Sequence, residues 1–232
     1  MIKAVIFDFD GLIIDTELPE YQSWQEIFQG YGCDLPVPVW SVCIGTSFSG
    51  FDPHEYLEDQ LGRSVSRGRI LERHHERKMQ LVERREALPG VRDYLDAAQG
   101  LGLGIGLASS SRLDWVEPQL SRLGLRHYFE VIRTRDDVEM TKPHPALYRR
   151  ALEDLGVAPG EAVALEDSPN GALAARRAGI FCVAVPNELT GQLDIEAADM
   201  KLTSLEELPL KELIGRIESP AQALAEKRGD RR

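Results

Sequence analysis

Two aspartates, Asp8 and Asp10, directly follow the apolar run Val5-Ile6-Phe7 near the start of the chain. Three consecutive apolar residues predict a strand that is buried on both faces, as in a parallel sheet. Because side chains alternate along a strand, both aspartates leave it on the same side. Two carboxylates at the end of a buried strand repel each other and lose hydration, which is unfavourable unless a cation or a reaction requires them. The pair therefore indicates a site for a metal or for catalysis.

The remaining elements that would position such a site form two different patterns. From Leu88 onward, stretches typical of helices and strands alternate: VRDYLDAAQGLG, LGIGLAS, LDWVEPQLSRLG, FEVIRT, ALYRRALEDLG, AVALED, NGALAARRAG and FCVAV. This alternation predicts an α/β fold, with a parallel sheet and crossover helices. Between the first strand and Leu88, the sequence is mostly helical in character. We therefore expect residues 1–14 and 87–232 to form an α/β core and residues 15–86 to form a helical cap above the first strand.

Polar side chains follow each of the first four predicted strands. In chain order they are Asp8 and Asp10, then Ser109-Ser110-Ser111, then Lys142 after a loop, then Glu166-Asp167-Ser168. Ligands of open α/β sheets bind beyond the carboxyl ends of the strands, so these groups are expected to converge. Each has an ordinary alternative: the serines and the acidic cluster could cap helices, and the lysine could be a solvated loop residue. Their shared edge and their order favour a functional site.

The composition of the 232-residue chain narrows the classes of partner. It has 38 acidic and 27 basic residues and a net charge of −11, which argues against binding to nucleic acid or to an anionic membrane surface. Its three cysteines are too few and too widely spaced for a disulfide framework. No stretch approaches the ~20 apolar residues of a membrane span. We expect a cytoplasmic monomer.

The four motifs together resemble those of the haloacid dehalogenase superfamily, in particular its phosphatase and phosphomutase members with a small helical cap. The matching stretches are FDFDGLIIDTE, GLGIGLASSS, DDVEMTKPHPALY and VALEDSPNGALAARRAG, and the similarity runs from Met1 to about Pro186. The resemblance implies a Rossmann-like three-layer αβα core, with the cap inserted after the first strand. It also implies Mg²⁺ dependence, an aspartyl-phosphate intermediate and a small phosphorylated metabolite, such as a sugar phosphate or phosphoglycolate, as the substrate.

The resemblance gives the first two aspartates different roles. Asp8 resembles the nucleophile that attacks phosphorus. Asp10 resembles the general acid that protonates the leaving alcohol and then activates water, so we expect its carboxyl group to lie away from the metal. Gly11 is expected to let the backbone turn sharply beside the phosphate.

The other motifs supply the expected phosphate and metal ligands. The Ser109 hydroxyl and the Ser110 amide resemble the groups that hold the transferring phosphoryl group. Lys142 resembles the cation that bridges the nucleophile and the phosphoryl oxygens. The expected Mg²⁺ ligands are the carboxylates of Asp8, Glu166 and Asp167 and the backbone carbonyl of Asp10, a set of hard oxygen donors that suits this ion.

A phosphomutase such as β-phosphoglucomutase is the nearer alternative to a phosphatase. Those relatives carry a histidine in the first cap helix, five residues after the aspartate that corresponds to Asp15, whereas this chain has Glu20. They also have basic residues around a turn where this chain reads Ile44-Gly45-Thr46-Ser47-Phe48. Both differences favour hydrolysis. The candidate specificity residues are Glu20, Trp24, Thr46, Ser47 and Phe48, although Trp24 and Phe48 have packing in the cap as their alternative.

A catalytically silent binding protein on this fold would have lost its nucleophile or a metal ligand, and neither is lost here. The three cap histidines, His54, His74 and His75, are expected on the surface and not as ligands.

Overall fold

A six-stranded sheet forms the centre of the part of the chain that the computed structural model describes, residues 1–40 and 51–219. Its strands are β1 (Ala4–Phe7), β2 (Gly104–Ala108), β3 (Val131–Arg133), β4 (Ala162–Glu166), β5 (Phe181–Ala184) and β6 (Met200–Lys201). Their order is β3-β2-β1-β4-β5-β6, and every pairing is parallel. Because β1 lies between β2 and β4, the chain reverses its direction of travel across the sheet at β1, where open α/β sheets place their ligands.

Helices between and after the strands complete the fold. Those between β1 and β2 are α1 (Glu17–Gly30), α2 (Val37–Trp40), α3 (Pro53–Leu61), α4 (Arg67–Val82) and α5 (Val91–Gly100). The later ones are α6 (Leu113–Arg122), α7 (Ala146–Leu155), α8 (Pro169–Ala178) and α9 (Leu210–Glu218). None of these helices, within the described ranges, is long and apolar enough to cross a membrane.

The sheet is buried on both faces, as the apolar run in β1 predicts. Val5 and Phe7 belong to one hydrophobic cluster, which includes residues of α5, α6 and α9. Ala4 and Ile6 point the other way, into a cluster with α7 and α8. The result is a three-layer α/β/α arrangement, which confirms the predicted fold class.

The helices α1 to α4 form an insertion with a hydrophobic cluster of its own. Trp24, Phe28, Trp40 and Leu57 are each at most 2% exposed in this cluster. Leu189, from the loop after β5, also packs into it. The insertion is thus joined to the sheet both through the chain after β1 and through this loop.

Two details differ from the pattern in the sequence. The edge strand β6 and the helix α9 are not among the predicted elements. On α4, Leu71 is apolar but 41% exposed. The buried residues of that helix are instead Ile70, His74 and Val82, which are four and eight residues apart and therefore share one face.

Candidate active site

A cleft of about 490 Å³ opens at the carboxyl ends of β1, β2 and β4. Of the residues predicted for the site, Asp8, Asp10, Ser109, Ser110, Lys142 and Asp167 line this cleft. The helical insertion contributes Thr16, Glu17 and Lys78 to the opposite wall. The convergence expected from the strand ends is therefore present in the structure.

Lys142 joins two of the predicted carboxylates. Its Nζ lies 2.7 Å from Asp8 Oδ1 and 2.7 Å from Glu166 Oε1. The hydroxyl of Tyr148 donates a hydrogen bond to the same Glu166 oxygen. Burial alone would lower the pKa of Lys142, but the charges of Asp8 and Glu166 more than offset this and raise it. The lysine is therefore a fixed cation beside the predicted nucleophile.

Three buried carboxylates form a cluster that suits a divalent cation. Asp8, Glu166 and Asp167 each offer an oxygen, and these oxygens all lie within 4.8 Å of one another. Burial, followed by the charge of Glu166, holds the pKa of Asp8 well above its usual value. Burial and the charge of Asp8 do the same to the pKa of Asp167. One lysine does not balance three carboxylates, and Glu166 Oε2 is buried with no hydrogen-bond partner among the described residues. This donor set fits Mg²⁺.

The Asp10 carboxylate lies outside that cluster and is held by other residues. Its Oδ1 accepts hydrogen bonds from Thr16 Oγ1 and Trp115 Nε1, each at 2.9 Å. Its Oδ2 accepts one from Ser111 Oγ at 2.6 Å, and Ser109 Oγ lies 3.5 Å away. The two aspartates of the first motif thus occupy different environments, one beside a lysine and the other among neutral donors.

Two glycines allow the carboxylates to lie where they do. Gly11 has a φ of +80°, a conformation that favours glycine, and a Cβ there would overlap the carboxylate of Asp167. A Cβ on Gly171 would overlap the carboxylate of Glu166. Ser168 caps α8 by accepting a hydrogen bond from the Gly171 amide at 3.2 Å. The capping alternative is therefore right for Ser168, whereas its two neighbours belong to the carboxylate cluster.

Asn187 is a residue of the site that the sequence analysis missed. It follows β5, and its Nδ2 donates to Asp167 Oδ2 at 2.9 Å and to the Gly11 carbonyl at 3.3 Å. Its Oδ1 accepts hydrogen bonds from the amides of Leu189 and Thr190. The same strand-end reasoning, extended to the fifth strand, would have pointed to it.

The insertion contributes a network of charges in the cleft wall and behind it. Lys78 forms an ion pair with Glu20, and Glu20 Oε1 lies 3.0 Å from His74 Nε2. Burial would raise the pKa of Glu20, but His74 and Lys78 lower it to about 2. Burial, with the charges of Asp10 and Glu20, raises the pKa of Glu17 to about 7.

Two of the three histidines expected on the surface are buried. His54 is 5% exposed and His74 is 9% exposed, so the expectation was wrong for both; His75 is exposed. His74 lies in α4, where charged residues occur on most faces of the helix and the sequence does not reveal which face is buried. There it also forms a 2.7 Å hydrogen bond with Ser23 Oγ.

The candidate specificity residues are dispersed. Glu20 lies behind Lys78 and does not line the cleft. Trp24 is packed in the core of the insertion, stacked on His74 with 4.6 Å between ring centroids. Thr46, Ser47 and Phe48 lie outside the described residues.

Comparisons with known proteins show what this chain is similar to. The sequence model of the haloacid dehalogenase-like hydrolases matches residues 5–185. YhcW of Bacillus subtilis (strain 168), which is provisionally named a phosphatase, is 51% identical over 219 residues, or 94% of this chain and 99% of the relative. Hexitol phosphatase B of Escherichia coli (strain K12) is 33% identical, over 92% of this chain and 97% of its own. A Thermotoga maritima structure provisionally named β-phosphoglucomutase has a TM-score of 0.76 at 29% identity, covering 92% and 99% of the two chains.

Proposed function

Because this chain belongs to the haloacid dehalogenase-like hydrolases and is a phosphatase of phosphoric monoesters, we propose that it hydrolyses a small phosphorylated metabolite with Mg²⁺ as cofactor. In this proposal the phosphoryl group passes through Asp8, and residues 15–86 act as a cap. The observation that carries it is the position of Asp8, which contacts Lys142 and shares a carboxylate cluster with Glu166 and Asp167.

In the first step, an oxygen of Asp8 bonds to phosphorus and the bond from phosphorus to the ester oxygen breaks. Phosphoryl transfer chiefly requires in-line positioning and neutralisation of the oxygen charges. Lys142 lies close enough to Asp8 to contact a phosphoryl oxygen as well. In this proposal the Ser109 hydroxyl and the Ser110 amide, both from residues that line the cleft, hold the remaining oxygens. Asp10 gives a proton to the departing alcohol.

In the second step, water attacks the phosphorus of phospho-Asp8 and the bond from phosphorus to the Asp8 oxygen breaks. Asp10 takes the proton from this water, which restores it as an acid for the next cycle. The hydrogen bonds of Asp10 to neutral donors keep its carboxyl group outside the carboxylate cluster, as both transfers require.

Mg²⁺ would be held by the carboxylates of Asp8, Glu166 and Asp167 and by the Asp10 carbonyl, and it would supply positive charge that lets a carboxylate approach a phosphate dianion. Lys142 supplies the positive charge that the protein itself contributes beside Asp8. Asn187 orients Asp167 through its side-chain amide.

A carbohydrate phosphate is the favoured substrate class. Hexitol phosphatase B is named for a phosphorylated polyol, and it aligns along nearly the whole chain. The similarity to a β-phosphoglucomutase-like structure keeps a sugar phosphomutase as the second candidate. Against the mutase, the carboxylate of Glu20 is already bound to Lys78 and His74, where the mutases use a histidine.

A panel of phosphomonoesters tests the proposal. The purified protein is incubated with Mg²⁺ and, in parallel, with excess EDTA, and inorganic phosphate is measured for hexitol phosphates, hexose phosphates, phosphoglycolate and nucleoside monophosphates. We expect Mg²⁺-dependent release that is greatest for a carbohydrate phosphate and absent in Asp8→Asn. Equal release by wild type and Asp8→Asn would contradict the proposal. Conversion of β-glucose 1-phosphate to glucose 6-phosphate, with a trace of the bisphosphate and no phosphate release, would favour the mutase.

A further inference from the structure

Trp115 lies in the first turn of α6 and contacts both walls of the cleft. Its Nε1 donates a 2.9 Å hydrogen bond to Asp10 Oδ1. On the insertion side, the Nζ of Lys78 lies 5.0 Å from the centroid of the indole ring, within the range of a cation–π interaction. One side chain thus connects the carboxylate of Asp10 to the helical insertion.

The donors around Asp10 fix the orientation of its carboxylate plane. Thr16 and Trp115 share one oxygen and Ser111 holds the other. An indole N–H can only donate, whereas a hydroxyl can also turn to accept. Trp115 is therefore the donor of this set whose N–H direction is fixed by the position of its ring. The ammonium group of Lys78 lies over that ring and forms an ion pair with Glu20.

We propose that Trp115 is a positioning residue that orients the Asp10 carboxyl group towards the leaving oxygen, and that Lys78 holds the indole ring of Trp115 in place. This inference rests on the proposed role of Asp10 as the acid of the first step. Trp115 belongs to none of the strand-end motifs, so it is a feature of this cleft that the motifs do not specify.

The proposal predicts a dependence on the leaving group. 4-Nitrophenolate is the weakly basic anion of an acidic phenol and departs with little need for a proton. Phenolate itself is more basic and depends more on protonation by a general acid. A misoriented Asp10 carboxyl group should therefore slow the hydrolysis of phenyl phosphate more than that of 4-nitrophenyl phosphate. A general loss of structure or of phosphate binding would slow both equally.

The test measures kcat/KM for 4-nitrophenyl, 4-chlorophenyl and phenyl phosphate with Mg²⁺ present. For Trp115→Phe, which keeps a ring and loses the N–H, we expect about a tenfold loss with phenyl phosphate and less than about twofold with 4-nitrophenyl phosphate, a part of the 10²–10⁴ that general acids contribute. Trp115→Leu carries the same prediction should the first variant not fold. Trp24→Phe is the matched control, because Trp24 Nε1 has no hydrogen-bond partner among the described residues, and it should leave the dependence on the leaving group unchanged.

Lys78→Met tests the contact with the insertion. We expect it to steepen the leaving-group dependence in the wild-type background and to add nothing in the Trp115→Phe background. Additive effects of the two substitutions would contradict the proposal that Lys78 holds the indole ring of Trp115 in place.

Asp10→Asn separates this inference from the function on which it rests. If Asp10→Asn steepens the dependence while folded Trp115→Phe and Trp115→Leu do not, the positioning role of Trp115 is wrong and the acid role of Asp10 stands. If Asp10→Asn leaves the dependence unchanged, the acid role fails and the inference fails with it.

Discussion

The Nζ of Lys142 lies 2.7 Å from Oδ1 of Asp8, and the two side chains are only 5% and 9% exposed. Glu166, at the same distance from the lysine, is fully buried. A buried cation between two buried carboxylates is strongly coupled to both, because removal of one partner leaves charge without compensation. This arrangement makes Lys142 important for stability as well as for phosphoryl transfer.

We predict that Lys142→Met lowers the free energy of unfolding in metal-free buffer at pH 7 by about 3–5 kcal/mol, as expected for breaking a buried ion pair. Activity should fall to background. Urea unfolding in EDTA measures the first effect and phosphate release the second. The destabilisation should shrink as the pH is lowered, since protonation neutralises the carboxylates that the lysine no longer balances.

Lys3→Met is the matched control for this change. Lys3 Nζ lies 2.6 Å from Glu161 Oε1, but the two side chains are 57% and 33% exposed, so this pair should contribute little. Equal losses of stability in the two variants would contradict the importance given to the buried pair.

Glu17 provides a prediction of pH dependence. Its pKa is raised to about 7, chiefly by burial, so the folded protein retains a proton that the unfolded chain releases near pH 4.5. Ionisation of Glu17 therefore costs stability as the pH rises from 4.5 through 7. We expect Glu17→Gln to be more stable than wild type above pH 7, by up to about 3 kcal/mol, and equal to it below pH 4.5. Urea unfolding across pH 4 to 8 measures the difference.

Glu20→Gln makes the same chemical change one turn further along α1 and should have the opposite sign. The pKa of Glu20 is lowered to about 2 by His74 and Lys78, so its carboxylate stabilises the fold above pH 4.5 and this contribution is lost as the pH falls towards 2. At pH 7 the variant should be less stable than wild type. If both substitutions changed the free energy of unfolding in the same direction at pH 7, the opposite environments of Glu17 and Glu20 would be contradicted.

Much of this site can be predicted from the sequence because most of its residues lie at or directly after the carboxyl end of a strand. The run Val5-Ile6-Phe7 reveals a strand buried on both faces, and the groups after β1, β2 and β4 then meet by topology alone. Residues whose roles depend on packing between distant elements give no such signal. Trp115 reads as an ordinary helical residue until α6 brings its N–H to Asp10, and His74 reads as a solvated one in a charged helix.

Asn187 is predicted to govern the affinity for Mg²⁺ through Asp167. In Asn187→Ala, the Asp167 carboxylate and the Gly11 carbonyl lose their amide donor, and we expect the dissociation constant for Mg²⁺ to rise by about tenfold, typical for partners that orient metal ligands. Calorimetric titration of the protein with Mg²⁺ measures this without turnover. In the control Thr190→Val, the same loop loses a hydroxyl that accepts from the Asn187 backbone, while the side-chain amide remains. An unchanged Mg²⁺ affinity in Asn187→Ala would contradict the role of the amide.

Phosphoryl transfer through Asp8 is the central claim, and trapping the phosphorylated protein tests it most directly. Wild-type protein is mixed with Mg²⁺ and its best substrate from the panel, quenched in acid within the first turnover, and digested for mass spectrometry. We predict one added phosphoryl group on the peptide that contains Asp8, labile to hydroxylamine and absent in Asp8→Asn. Turnover with no phosphorylated peptide at any quench time, or with the phosphoryl group on another residue, would contradict the account.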